Sequence, residues 1–161
     1  MFNHPSAILS FALLLIAWLG CSQPDSELRT DQKSVLLQQR PNTCGPASLA
    51  MILAAHGVSV TEKELERRMG PGWKGVSLAL IVATADSFGV HMEAWRFRRE
   101  APEELRTPAI VWIDGDHFAV LDSVNASVVF LRDPARGRLD VSRSTFQARW
   151  NGAAAVVTRT P

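Results

Sequence analysis

Cysteine is scarce in this chain of 161 residues, which contains only Cys21 and Cys44. Two cysteines cannot build the disulfide framework that stabilises many small secreted domains. Cysteine and histidine at metal-ligand spacing are absent as well, so the sequence predicts no metal site and no cofactor. A chain without such staples relies on a hydrophobic core, and the 47% of hydrophobic residues can form one.

A strong net charge is also missing, because the formal charge at pH 7 is +1. This balance argues against binding to nucleic acid or to a membrane surface through charge alone. Internal repeats and low-complexity tracts are absent too. The length therefore indicates one folded domain, which we place at residues 34–161.

Charged side chains are absent from the N-terminus until Asp25. The apolar run from Ser6 to Gly20 (SAILSFALLLIAWLG) is too short to span ~30 Å of hydrocarbon comfortably, but it suits the core of a secretory signal. The run ends at Cys21 and resembles a bacterial lipoprotein signal, although Trp18 and the lack of Lys or Arg before the run depart from that pattern.

We therefore expect a lipoprotein signal over residues 1–21 and a polar tether over 22–33. The folded domain would then lie in the bacterial cell envelope, anchored to a membrane and facing the periplasm or the exterior. A secretory signal or anchor without lipid, and a buried helix, are the alternatives.

Hydrophobic periodicity indicates helices followed by strands. A helix is predicted over 44–56, a charged helix opened by Thr61 and Glu64, and a third helix capped by Ser77. Strands are predicted over 90–97, 109–113, 118–122, 127–131, 139–141 and 153–157, with a short helix capped by Ser144 before the last strand. Helices first and antiparallel strands second predict the α+β class.

Cys44 is the candidate nucleophile, since it is the only free thiol left if Cys21 carries lipid. It stands at the predicted start of the first helix, where the positive end of the helix dipole favours a thiolate. Pro46 fits the first turn of a helix. Gly45 is expected to leave room beside the sulfur for a substrate carbonyl. The alternative is a small, inert, buried thiol.

His117 is the candidate general base, because a thiol nucleophile needs an imidazole partner and the other histidines are less well placed. His4 belongs to the predicted signal, and His91 lies early in an exposed strand. His56 follows Cys44 by twelve residues, about 18 Å along a helix. The alternative is a surface histidine at the end of a strand.

Asp133 is the candidate partner of His117. If the hairpin that follows His117 is centred near Asn125, the two residues lie directly opposite each other, with Cβ atoms ~4.5–5.5 Å apart. A hydrogen bond at that distance would fix the tautomer and stabilise the imidazolium. Asp133 followed by Pro134 is alternatively a turn-forming pair. Three other carboxylates are expected in turns or at the surface: Asp116, Asp122 and Asp140.

An amide upstream of the cysteine could complete the site. Gln38 or Gln39 could donate a side-chain N–H to the oxygen of a tetrahedral intermediate, together with the backbone N–H of Cys44. Trp73 is our candidate for a wall of the substrate cleft.

The combined pattern resembles the bacteriocin-processing, double-glycine leader peptidase family over about residues 34–158. The matching features are Gln38 six residues before Cys44, CGPA from Cys44, GVS from Gly75, HFAV from His117 and DPARG from Asp133. This resemblance implies a papain-like fold, with the cysteine on a helical half and the histidine and aspartate on an antiparallel sheet. It also implies cleavage after Gly-Gly in leader peptides.

The resemblance further assigns roles to four residues. Cys44 matches the nucleophile, His117 the base, Asp133 the third catalytic residue and Gln38 the oxyanion glutamine, while Gln39 stays open as an alternative register. Family members commonly precede an ABC transporter on the cytoplasmic side, whereas this chain has no Walker motif and carries an export signal.

The resulting hypothesis is an exported, lipid-anchored cysteine endopeptidase with a peptide or protein substrate. Its cleavage site would be Gly-Gly or another pair of small residues, and any export machinery would be supplied by a separate chain. Two alternatives stay open: a non-catalytic peptide-binding module of the same fold, and a thiol amidase or acyl transferase acting on cell-wall peptides.

Overall fold

The computed structural model describes residues 34–70, 72 and 74–159. The predicted signal with Cys21, the tether and Trp73 lie outside the described residues, so those expectations stay predictions. Within the described part of the chain, no helix combines the length and the apolar character that a membrane span requires.

In the described part of the chain, three helices come first: α1 (Cys44–Ala55), α2 (Glu62–Met69) and α3 (Leu78–Asp86). Helices α2 and α3 begin directly after the capping residues that the sequence predicts for them. The hydroxyl of Thr61 accepts the backbone N–H of Glu64, and that of Ser77 accepts the N–H of Leu80, both at 3.2 Å. Such bonds satisfy N–H groups that have no partner inside the helix, so local sequence fixes both starts.

Among residues 74–159, six strands follow and form one antiparallel sheet in the order β1-β6-β2-β3-β4-β5. A 3-10 turn (Pro102–Glu104) precedes β2, and helix α4 (Arg143–Arg149) precedes β6. The strands are β1 (His91–Arg96), β2 (Ala109–Ile113), β3 (His117–Val124), β4 (Val128–Asp133), β5 (Gly137–Ser142) and β6 (Trp150–Arg159). Helices packed on an antiparallel sheet confirm the α+β prediction.

The start of α4 differs from the prediction. Ser142, not Ser144, is the N-cap: its hydroxyl accepts the backbone N–H of Thr145 at 3.1 Å, and its backbone is extended (φ −62°, ψ 147°). Ser144 lies within the helix and its hydroxyl contacts that of Ser142 at 3.0 Å. Both serines fit the sequence pattern of a helix cap. Ser142 is the cap in the structure because, as the last residue of β5, it has the extended backbone that is typical of an N-cap residue.

The hairpin of β3 and β4 also differs from the prediction. The side-chain oxygen of Asn125 accepts the N–H groups of Ser127 and Val128, and the N–H of Asn125 donates to the carbonyl of Val128. The turn therefore lies beyond Asn125 rather than around it. An irregularity between Leu121 and Ser123 then shifts the pairing within the hairpin.

These two features move His117 away from the position directly opposite Asp133. Val120 pairs with Arg132, so one step along the ladder Asp133 lies opposite Ala119. His117 comes two residues before Ala119 in β3. The predicted register is therefore wrong by two residues. An even shift keeps both side chains on one face, where diagonal neighbours still come within reach of each other.

The position of the missing Gly45 side chain is filled by neighbouring residues, whereas the sequence suggested that it would be open to a substrate carbonyl. A Cβ atom at this position would lie 2.3 Å from Cγ2 of Val76 and 3.3 Å from Cδ1 of Ile81. Gly45 is buried, and its missing side chain lets the loop before α3 pack directly against the first turn of α1. The glycine thus serves the packing around the thiol.

Candidate active site

Cys44 is the first residue of α1, and 7% of its surface is exposed. The preceding Thr43 is fully buried, and its hydroxyl bonds with the backbone of Arg40 at 2.9 and 3.2 Å instead of capping the helix. The tight turn holds the thiol in place. It also leaves the N–H groups of the first helical turn without a side-chain cap, close to where a substrate oxygen would lie.

His117 and Asp133 are joined by a hydrogen bond of 2.8 Å between Nε2 and Oδ1. Asp133 is fully buried, and its Oδ1 also accepts the backbone N–H of Ala135 at 2.8 Å. Burial raises the pKa of Asp133, but the bonds from His117 and Ala135 outweigh it and hold the pKa below its ordinary value. The carboxylate is therefore ionised and fixes the orientation of the imidazole.

Cys44 also interacts with the side chain of His117 and favours its charged form. Burial lowers the pKa of His117, whereas the bonds to Asp133 and Cys44 raise it, and the balance is about 9. Because Asp133 occupies Nε2, the other ring nitrogen is left for the sulfur. An imidazolium held between a carboxylate and a sulfur stabilises a thiolate and can protonate a leaving amine.

Gln38 and Gln39 have different surroundings. The backbone N–H of Gln38 donates to the carbonyl of Pro134 at 2.8 Å, so this residue lies beside the loop that follows Asp133. Its Nε2 donates one N–H to the carbonyl of Arg40 at 2.7 Å, which leaves the second N–H of the amide. Gln39 is exposed and turns toward α2, where Glu62 accepts its backbone N–H.

A cleft of about 400 Å³ opens beside the thiol. Val76, Trp112 and Phe118 give it apolar walls, and the rings of Trp112 and Phe118 meet edge to face with centroids 4.4 Å apart. The sequence did not single out Trp112, because a tryptophan inside an apolar strand looks like core. Ten described residues line the cleft: Pro41, Asn42, Cys44, Lys74, Gly75, Val76, Trp112, Gly115, Asp116 and Phe118.

Of the other carboxylates, Asp116 and Asp140 are exposed, as expected. Asp122 is different: it forms an ion pair of 2.7 Å with Arg132, whose side chain is 2% exposed. Arg132 also donates to the carbonyl of Ser34 at 3.4 Å. A buried guanidinium needs a carboxylate partner, and this pair holds the segment before Gln38 against the sheet.

Two histidines lie away from the thiol. His56 follows the last residue of α1, at the opposite end from Cys44, and His91 bonds with Asp86 at 2.9 Å. The sequence prediction that neither belongs to the site agrees with this placement.

A set of charges beside His117 was missed by the sequence analysis. Asp114, in the turn between β2 and β3, binds Arg149 through both carboxylate oxygens, and Arg136 lies between Asp114 and Asp133. The turn itself was predicted from its Asp-Gly-Asp sequence. No local signal points to Arg149, which lies 35 residues further along the chain.

A family model described as the peptidase C39 family matches residues 32–161. Among solved structures, the fold is similar to that of a double glycine motif protease from an AMS/PCAT transporter in complex with the leader peptide. The two chains are 25% identical with a TM-score of 0.74, and the match covers 76% of this chain and 89% of that one.

Two curated relatives differ in how much of their own length this chain matches. The colicin V secretion/processing ATP-binding protein CvaB of Escherichia coli is 33% identical over 120 residues, which are 74% of this chain but 17% of that protein. The probable functional amyloid protease FapD of Pseudomonas aeruginosa is 29% identical over 159 residues, covering 91% of this chain and 70% of that protein. This chain thus spans a small part of CvaB and most of FapD.

The geometry predicts a histidine that holds its proton well above neutral pH. In NMR titrations of protein with labelled histidine, we expect His117 to titrate near pH 9. Asp133→Asn should lower the pKa of His117, because the main interaction that favours the charged ring is removed while burial remains. Asp86→Asn, far from the thiol, is the control. A His117 titration near pH 6.5 in the unaltered protein would contradict the arrangement.

Proposed function

The chain belongs to the peptidase C39 family and is a cysteine peptidase, and on this premise we propose that Cys44, His117 and Asp133 are its catalytic residues. The observations that support the assignment are the hydrogen bond between His117 and Asp133 and the interaction of Cys44 with His117, both of which raise the pKa of His117. Each of the three comes from a different element: Cys44 from α1, His117 from β3 and Asp133 from β4.

The proposed reaction is acyl transfer to the thiol followed by hydrolysis. The thiolate of Cys44 attacks the carbonyl carbon of the peptide, and the imidazolium of His117 gives its proton to the departing amine as the C–N bond breaks. Neutral His117 then takes a proton from water, whose oxygen attacks the thioester, and the acid product leaves as the thiolate forms again. Asp133 keeps the ring oriented and does not itself become protonated.

Gln38 is the proposed side-chain donor to the oxyanion. The backbone bond to Pro134 fixes it next to the His117–Asp133 pair, and its amide keeps one N–H that Arg40 does not use. The backbone N–H of Cys44 is the second donor. Donors that are already oriented stabilise the negative charge of the intermediate without reorganisation.

The proposed substrate is a peptide or protein cleaved after small residues, with Gly-Gly as the first sequence to test. A solved relative of the same fold is a double glycine motif protease that holds a leader peptide. The apolar walls Val76, Trp112 and Phe118 suit an extended apolar peptide segment beside the thiol.

The proposed setting is the bacterial cell envelope, with the chain anchored by lipid on Cys21 and facing the periplasm or the exterior. The match to FapD covers 91% of this chain, whereas residues 34–161 are about 80% of it. That similarity therefore extends into the segment before residue 34, whereas the match to CvaB covers 74% of this chain. Export machinery, where it takes part, would be a separate chain.

Peptide cleavage should depend on the thiol. With a fluorogenic peptide containing Gly-Gly, we expect Cys44→Ala to lose on the order of 10³-fold or more of kcat/KM, since an acyl-enzyme can no longer form. His91→Ala is the matched control and should cleave like the unaltered chain. Undiminished cleavage by Cys44→Ala would rule out a thiol mechanism. Peptide binding without cleavage, with a thiol inert to iodoacetamide at pH 7, would instead indicate a binding module.

The two glutamines should differ sharply in kinetics. Gln38→Ala should lower kcat about 10²–10³-fold with little change in KM, because an oxyanion donor acts mainly in the transition state. Gln39→Ala, the neighbouring control, should stay within about threefold of the unaltered chain. The reverse order of effects would assign the oxyanion role to Gln39.

Lipid attachment can be checked in cells. Radiolabelled palmitate should be incorporated into the unaltered chain and recovered with the membrane fraction, whereas Cys21→Ala should incorporate none, since the acceptor thiol is gone. Cys44→Ala is the control and should still be labelled. Equal labelling of both variants, or none in the unaltered chain, would contradict the lipoprotein proposal.

A further inference from the structure

Asp114 is tied firmly to the end of α4. Its carboxylate accepts Nε of Arg149 at 2.8 Å and Nη2 at 2.6 Å, and its backbone N–H donates to the carbonyl of Arg149 at 2.9 Å. A forked pair of this kind fixes the relative geometry of both groups. Asp114 has a left-handed backbone (φ 57°), which aspartate tolerates. The turn that leads into His117 is thus fixed by a residue of α4.

Arg136 lies between two carboxylates. Its Nη1 is 3.8 Å from Oδ2 of Asp114 and 3.7 Å from Oδ2 of Asp133. That oxygen of Asp133 is buried and has no hydrogen-bond partner among the described residues. Arg136 therefore supplies a positive charge near this oxygen, and Asp114 attracts Arg136 from the other side.

The charges alternate in sign from α4 to the reacting groups: Arg149, Asp114, Arg136, Asp133, His117 and Cys44. We infer that Asp114 is a positioning residue of the peptidase, which holds Arg136 against Asp133 and places a second negative charge beside the ring of His117. The inference rests on the proposed catalytic role of the Cys44–His117–Asp133 set. It adds a residue that acts through others and does not touch the substrate.

Electrostatics agree with this geometry. The bonds from Arg149 are the largest influence on Asp114 and lower its pKa, burial raises it, and the charges of Arg136 and His117 lower it further. Interaction between two charges is mutual, so the carboxylate of Asp114 must favour the protonated ring of His117. The ring is also faced by Cys44 from α1 and Asp133 from β4, while Lys74 and Asp116 lie at the rim of the cleft.

Asp114→Asn separates charge from shape. Asparagine has the same size, also tolerates a left-handed backbone, and its oxygen can still accept an N–H from Arg149. We expect the alkaline limb of the pH profile of kcat/KM to move to lower pH, because the charged ring loses one stabilising carboxylate. At pH 9, relative to pH 7, activity should fall about two- to fivefold more than in the unaltered chain, the range for one partly exposed charge pair.

The NMR titration of His117 should move in the same direction. Asp140→Asn removes an equal charge from an exposed position on β5 and should leave both readouts unchanged. Arg149→Met removes the clamp and a positive charge but keeps the carboxylate of Asp114, so it should lower the pH at which His117 titrates less than Asp114→Asn does.

Two outcomes would overturn the inference. One is a His117 titration and pH profile in Asp114→Asn that superimpose on those of the unaltered chain. The other is a lower melting temperature with no movement of either pH readout, which would make Asp114 a structural clamp only. Failure of the proposed function is distinguishable, because it would abolish the dependence of cleavage on Cys44 while leaving the His117 titration measurable.

Discussion

A carboxylate buried completely inside the protein is the constraint on which the rest of the site depends. Removing the charge of Asp133 from water is unfavourable by several kcal/mol unless partners replace the lost hydration. The fold provides the imidazole of His117, the N–H of Ala135 and, at longer range, the guanidinium of Arg136. Each partner is thereby fixed in place as well. The ring of His117 has one orientation, and only one of its nitrogens is left for the sulfur of Cys44.

The segment that delivers the cysteine is attached to the same region of the sheet. Arg132 pairs with Asp122 across the hairpin and reaches the carbonyl of Ser34, and the N–H of Gln38 bonds to Pro134. Both contacts join the chain before α1 to β4 or to the loop that follows it. The helical half and the sheet therefore cannot shift apart without breaking bonds next to Asp133, which limits movement of the thiol relative to the imidazole.

The peptidase domain forms these contacts from its own residues. CvaB contains the matching region as a small part of a larger ATP-binding protein, whereas FapD matches nearly the whole of this chain. The three groups that carry the proposed chemistry all lie within residues 44–133, and no described contact depends on a second domain. The two relatives thus differ in how much chain surrounds the region that matches this one.

Short-range features of this protein could be predicted from its sequence. The caps at Thr61 and Ser77, the start of α1 at Cys44 and the whole of β2 depend on neighbouring residues, so local patterns were sufficient. The identity of Cys44, His117 and Asp133 as candidates followed from their residue types and from family resemblance. Tertiary structure alone decided the register that brings His117 diagonally toward Asp133, because a bulge and the side chain of Asn125 set it. It also decided the contact between Asp114 and Arg149. An ion pair between residues that are 35 positions apart produces no repeating pattern in the sequence from which it could be predicted.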